Sequence, residues 1–224
     1  ANYNAPVTDT GNWPRMVQLA WECHNETGEL ISNTSYIIKP RDYTIPQAAE
    51  MVHGISTEKA LAEGSELEDV LIEFAADLEK SEVVVGHNVS FDLSIVGAEY
   101  VRTNIPSALH EKNAVCTKEE STDFCAIPGG KGGKFKWPAL SELYKCLFDE
   151  GFDEAHNAAA DVAATARCFF ELLRRGIITA GRLKVDPAGL QEFRAAHPGM
   201  IPPFKITVQS NYTTGIKKVE ETLL

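Results

Sequence analysis

Two short constellations of residue types in this chain have the makings of a reactive site. The first is Val83-Val84-Val85-Gly86-His87-Asn88-Val89-Ser90-Phe91-Asp92, an apolar run, a glycine turn, then Asn88 and Asp92 four residues apart. A strand ending this way delivers a carboxamide and a carboxylate to its C-terminal edge, where α/β proteins gather ligands. The same residues also suit a plain helix start, with Ser90 as the cap and Asp92 at the positive end of the dipole. The second constellation is His156-Asn157-Ala158-Ala159-Ala160-Asp161. Asp161 falls in the first turns of a helix whose neighbouring stripe is apolar, and a buried carboxylate wants a cation or strong hydrogen bonds. His156, with a reference pKa of ~6.5, is suited to taking a proton from water. Alone it reads as readily as a structural histidine; the pairing with the first constellation gives it a role.

The elements that must position these groups follow from periodicity. Met16 to Cys23 alternates, with Val17, Leu19, Trp21 and Cys23 on one face of a half-buried strand. A turn-rich stretch leads to a second β-prone run ending at Tyr36, Ile37 and Ile38, a hairpin or meander. Leu67, Val70, Leu71, Phe74 and Leu78 recur at helical spacing, and Val83-Val84-Val85 suits a buried parallel strand. A helix is expected from Ser90 to about Thr103, a short strand over Ala114 to Thr117, and helices from Leu140 and from about Asn157 to Arg175, the last stopped by Gly176. Past Ile178 only Ile206 to Gln209 is patterned. Residues 1–178 are therefore expected to form one domain and 179–224 a C-terminal tail.

Composition narrows the setting. With 21 Lys and Arg against 32 Asp and Glu, the net charge of −11 excludes a protein that holds nucleic acid by bulk electrostatics, but not one that gathers carboxylates around divalent cations. No apolar run approaches the ~20 residues that span a bilayer, and the polar stretch Ala1 to Arg15 is unlike a signal peptide. A cytoplasmic protein with no membrane partner is expected. Five cysteines without C-x-x-C spacing predict reduced core thiols.

Taken together, strand-Gly-His-Asn-x-x-x-Asp-helix and His-x-x-x-x-Asp at a later helix start resemble the second and third motifs of the DEDDh exonucleases. The chain looks most like the epsilon-type proofreading exonucleases of bacterial DNA polymerase III. The likeness runs from about Asn12 to Ile178 and includes Val52-His53-Gly54-Ile55-Ser56 and Cys116-Thr117. It implies a ribonuclease-H-like α/β fold with a mixed sheet flanked by helices. It also implies 3′→5′ hydrolysis at single-stranded DNA ends, with two divalent cations, Mg²⁺ or Mn²⁺, clamping the attacking water and the leaving oxygen. Carried over by position, Asp92 and Asp161 are metal ligands, His156 is the general base, and Asn88 and His53 lie on the substrate side. A polymerase III catalytic subunit is the implied partner.

The family's first motif, an Asp-x-Glu on a central, parallel-paired strand, has no counterpart upstream of Met16, where the sole acidic residue is Asp9. The chain is expected to start just after that motif, with impaired activity. Losing a central strand leaves neighbouring backbone groups unpaired, so the Ile206 to Gln209 run, or a strand from a second copy in a homodimer, is expected to fill the gap. An exonuclease-like domain that binds or scaffolds without cleaving, and oligoribonuclease-like cleavage of RNA, share these motifs. Asp9-Thr10-Gly11 reads as a turn. Gly129 to Lys134 lacks the strand-to-helix setting of a P-loop and reads as a loop that, with Lys136 and Trp137, has the composition to touch a nucleic-acid backbone.

Overall fold

The computed structural model describes residues 1–24, 28–151, 157–184 and 207–212. The chain forms β1 (Met16–His24), β2 (Leu30–Ile37), α1 (Gln47–His53), α2 (Thr57–Glu63) and α3 (Leu67–Glu79). It continues through β3 (Val83–Gly86), α4 (Val89–Thr103), β4 (Asn113–Cys116), α5 (Thr117–Glu120) and α6 (Thr122–Cys125). Then come α7 (Leu140–Phe148), α8 (Ala158–Arg174), α9 (Ala180–Leu183) and β5 (Thr207–Tyr212). The five strands form one mixed sheet in the order β2-β1-β5-β3-β4.

Most elements form where periodicity puts them. The α3 stripe of Leu67, Val70, Leu71, Phe74 and Leu78 is buried, as 3.6-residue spacing requires of a helix lying on a sheet. All four residues of β3 are buried. Val84 faces the cluster holding Leu71, Phe74 and Ile95, while Val83 and Val85 face Leu143, Phe169 and Leu172 of α7 and α8. Burial on both faces suits a parallel strand, and β3 pairs in parallel with β4, Val83 opposite Asn113 and Gly86 opposite Cys116.

β1 departs from the half-buried strand its alternation predicts. Leu19 and Trp21 do face the α3 and α4 side, with Trp21 edge-on to Phe74 at 5.2 Å. The opposite face is covered too, because Ala20 packs on Ala158 and Val162 of α8. Small side chains on both elements let the helix come close.

The centre of the sheet is occupied by β5, which overlaps the patterned Ile206 to Gln209 run. Residues past Ile178 reach the middle of the sheet: β5 runs antiparallel to β1, with Trp21 opposite Val208 and Ala20 opposite Gln209, and parallel to β3, with Val85 opposite Thr207. That is the central, parallel-paired position of the missing first strand, and of the two expected substitutes it is the chain's own segment that fills it. No strand from a second copy is required.

The N-terminal arm is tied down by a buried carboxylate. Glu99 of α4 accepts from the Met16 N–H at 2.9 Å and lies 3.1 Å from both Arg15 and Arg102. Arg102 in turn donates to the carbonyls of Thr10 and Trp13. All five cysteines are free, but only Cys116 and Cys168 are buried and Cys146 is exposed, so the expectation of uniformly core thiols holds for two of them. Burial pushes the Cys168 thiol up to about 12, which keeps it protonated and unreactive.

The position of β5 makes a graded prediction. Proline at Val208 removes a ladder N–H between two paired neighbours, and thermal unfolding should show a loss of at least ~1 kcal/mol. Proline at Ile31, in edge strand β2 and outside the paired register at its bulge, should cost less. Equal effects would contradict the placement of β5.

Candidate active site

At the C-terminal end of β3 the chain turns sharply. A side chain on Gly86 would bring a Cβ within 3.0 Å of Val89, so glycine permits the close return. Asn88 takes the left-handed conformation, φ 74° and ψ 38°, which asparagine tolerates better than most residues. Asn88 is thus the N-cap of α4, although its side chain does not cap it. The expected cap, Ser90, lies inside the first turn, exposed, its carbonyl accepting from Ser94 Oγ at 2.8 Å. The left-handed turn starts the helix two residues earlier than a Ser90 cap would.

The freed carboxamide of Asn88 turns to α5. Gly86 and Cys116 are paired at the ends of β3 and β4, which brings the turn at Asn88 beside the start of α5, where Lys118 Nζ donates to Asn88 Oδ1 at 3.2 Å. Lys118 Nζ also sits 4.4 Å from the centroid of the Trp137 ring. His87 locks the same corner: its Nε2 lies 3.0 Å from the Pro138 carbonyl and its Nδ1 3.0 Å from Thr117 Oγ1. A carbonyl only accepts, so the proton is assigned to Nε2, and Nδ1 accepts from the threonine hydroxyl. Sequence reasoning did not single out Lys118 or the latch at His87. Both depend on the β3 to β4 register.

Asp92 follows in the first turn of α4, only 4% exposed. Asp161 occupies the first turn of α8, 5% exposed, in a helix capped by Asn157, whose Oδ1 accepts from the Ala159 N–H at 3.0 Å. Both carboxylates lie at the positive ends of their helices. Both helices pack on β5, whose parallel register carries Gln209 and Asn211 past the end of β3. Asp92 and Asp161 thus stand in the first turns of two helices that rest on the same central strand. His53 ends α1, where Ile55 N–H donates to its Nδ1 at 3.2 Å, beside the small cluster of Val17, Ala49 and Ile55. His156 lies outside the described residues.

The donors bear on the expected cations. Two buried carboxylates offer the hard oxygens that Mg²⁺ or Mn²⁺ prefers. Among the described residues, however, no group of three or more His, Cys, Asp or Glu side chains stands where it could hold a metal ion. The strand in the first-motif position, Thr-Val-Gln-Ser-Asn-Tyr, contains no carboxylate. A two-ion clamp needs donors beyond the described residues.

Comparison with known proteins gives this corner a context. A family profile described as Exonuclease matches residues 15–169, which include β1, the β3 to α4 turn and Asp161. The chain belongs to this exonuclease family. PolC-type DNA polymerase III of Streptococcus pneumoniae serotype 2 is 26% identical over 186 residues, and that of Streptococcus pyogenes serotype M18 is 27% identical. Each alignment covers 75% of the chain and 12% of the relative, so the chain spans about an eighth of these proteins' length. Among solved structures, E. coli exonuclease I in complex with a dT13 oligonucleotide aligns with TM-score 0.59 and 20% identity, over 81% of this chain and 40% of that one. The same enzyme in complex with a dA16 oligonucleotide gives 0.53 and 22%, over 80% and 39%. At such identities the likeness speaks to the fold, a ribonuclease-H-like mixed sheet with flanking helices.

Substitutions at Asn88 separate its two uses. Asn88→Gly should leave thermal stability nearly unchanged, because glycine accepts positive φ, whereas Asn88→Ala should cost ~1 kcal/mol. If alanine and glycine behave alike in thermal unfolding, the left-handed turn is not what starts α4.

Proposed function

We propose that this chain is a divalent-metal-dependent 3′→5′ exonuclease domain acting on single-stranded DNA ends, of the proofreading type that works beside a replicative DNA polymerase. The observation that carries the proposal is the pair of buried carboxylates, Asp92 and Asp161, in the first turns of two helices that pack on the same central strand of an exonuclease-family chain. The PolC-type polymerase III relatives support a polymerase III catalytic subunit as partner, and the oligonucleotides bound to exonuclease I support a single-stranded substrate. Five free cysteines and, among the described residues, no helix long and apolar enough to cross a membrane support work in the cytoplasm.

In this reading Asp92 and Asp161 hold the cation. When bound, it supplies charge stabilisation at the phosphate undergoing hydrolysis. His156 takes the proton from the attacking water. Asn88, with Lys118 on its carboxamide, and His53 act on the substrate strand.

A second reading, binding without cleavage, is favoured by the sequence of β5, Thr-Val-Gln-Ser-Asn-Tyr, which contains no carboxylate. One assay divides the two: a 5′-labelled single-stranded DNA incubated with Mn²⁺ or with chelator, resolved to single nucleotides. The proposed enzyme yields a metal-dependent ladder shortening from the 3′ end, abolished by Asp161→Asn and slowed about a hundredfold or more by His156→Ala. A ladder unaffected by Asp161→Asn removes the site assignment. Retained DNA binding with no ladder establishes the second reading, and a ladder on RNA alone redirects the substrate class.

A further inference from the structure

We infer that Trp137 and Phe135, with Lys118, form a stacking surface for the bases of a single-stranded nucleic acid leading to the candidate site, an inference that rests on the nuclease reading above. The two aromatic residues are 57% and 45% exposed. They lie in 126–138, a stretch with Lys131, Lys134 and Lys136 and no acidic residue, in a chain whose net charge is −11. A protein this acidic that meets a polyanion needs positive charge concentrated where the strand lies.

The stretch is held in place. The Lys136 N–H donates to the Ile127 carbonyl at 2.8 Å, and a Cβ on Gly130 would fall 2.3 Å from the Phe135 carbonyl oxygen, so the two arms of the loop run closely together. Lys136 Nζ is paired with Glu142 at 2.8 Å, and the Pro138 carbonyl with His87 Nε2 at 3.0 Å. The residues on either side of Trp137 are therefore anchored while its indole faces solvent.

Lys118 joins this surface to the site. Its ammonium lies over the Trp137 ring and donates to Asn88, four residues before Asp92 on the same turn. Burial of an indole in the core would be the ordinary use of a tryptophan, and Trp13 and Trp21, 3% and 0% exposed, show it here. Trp137 instead presents an aromatic surface beside a cation, the combination that holds bases by stacking and phosphates by charge without reading sequence.

The same contrast supplies the test. Of the three tryptophans only Trp137 is exposed, so a fluorescence change on binding reports it. Titrating an oligo-dT into the full chain with chelator present, so that metal-dependent cleavage does not occur, should quench emission saturably. By anisotropy of a labelled oligo-dT, Trp137→Ala should bind about five- to a hundredfold more weakly, and Trp137→Phe should restore most of the affinity while abolishing the quench. Lys118→Ala should lower the slope of log affinity against log salt by about 0.7. Absence of quenching, or Trp137→Ala binding like the original, overturns the inference, and it does so alone if the Asp161-dependent ladder persists. Quenching without a ladder supports the surface and rejects the nuclease reading.

Discussion

The sheet is held together in its middle by β5. Among the described residues, the β1 to β2 hairpin and the parallel pair β3 and β4 share no strand-to-strand hydrogen bonds and are joined through Thr207–Tyr212, antiparallel to one and parallel to the other. Backbone N–H and C=O groups inside a covered sheet have to be paired, so a gap here would leave two buried edges unsatisfied. α4 and α8 both rest on this strand, and their first turns carry Asp92 and Asp161. The candidate site therefore depends on a segment distant from it in sequence.

That dependence shapes the chemistry. Helix N-termini favour negative charge, which lets two carboxylates sit nearly buried at the sheet edge. The strand on which both helices rest, Thr-Val-Gln-Ser-Asn-Tyr, has no acidic residue in its sequence. On the other flank Lys118 ties the α4 turn to an exposed indole. A lysine and an exposed indole thus adjoin the turn that leads to Asp92, although the chain as a whole is acidic.

Local pattern made much of this legible. The α3 stripe, the valine run of β3 and the Ala-rich α8 carry their periods openly, and the strand end followed by Gly86, Asn88 and Asp92 marks the site. What was not legible depends on neighbours distant in sequence. Ser90 looks like a cap because nothing local reveals that Asn88 adopts positive φ. β1 alternates like a half-buried strand because alanine at position 20 does not announce the helix above it. The contact between Lys118 and Asn88 follows from the pairing of Gly86 with Cys116, a register no single segment encodes. The run at Ile206 to Gln209 shows only that a strand is available; its place is set by the backbone groups of β1 and β3 that would otherwise go unpaired.

Hydrogen exchange of the Thr207–Tyr212 amides decides whether β5 holds the sheet together. Placed between β1 and β3, these amides should exchange as slowly as those of Leu19 to Trp21 and Val83 to Val85, opening only with global unfolding. Exchange of the 207–212 amides at the rate of a free chain, with β1 and β3 still protected, would contradict the account, since the sheet would then be closed by something else.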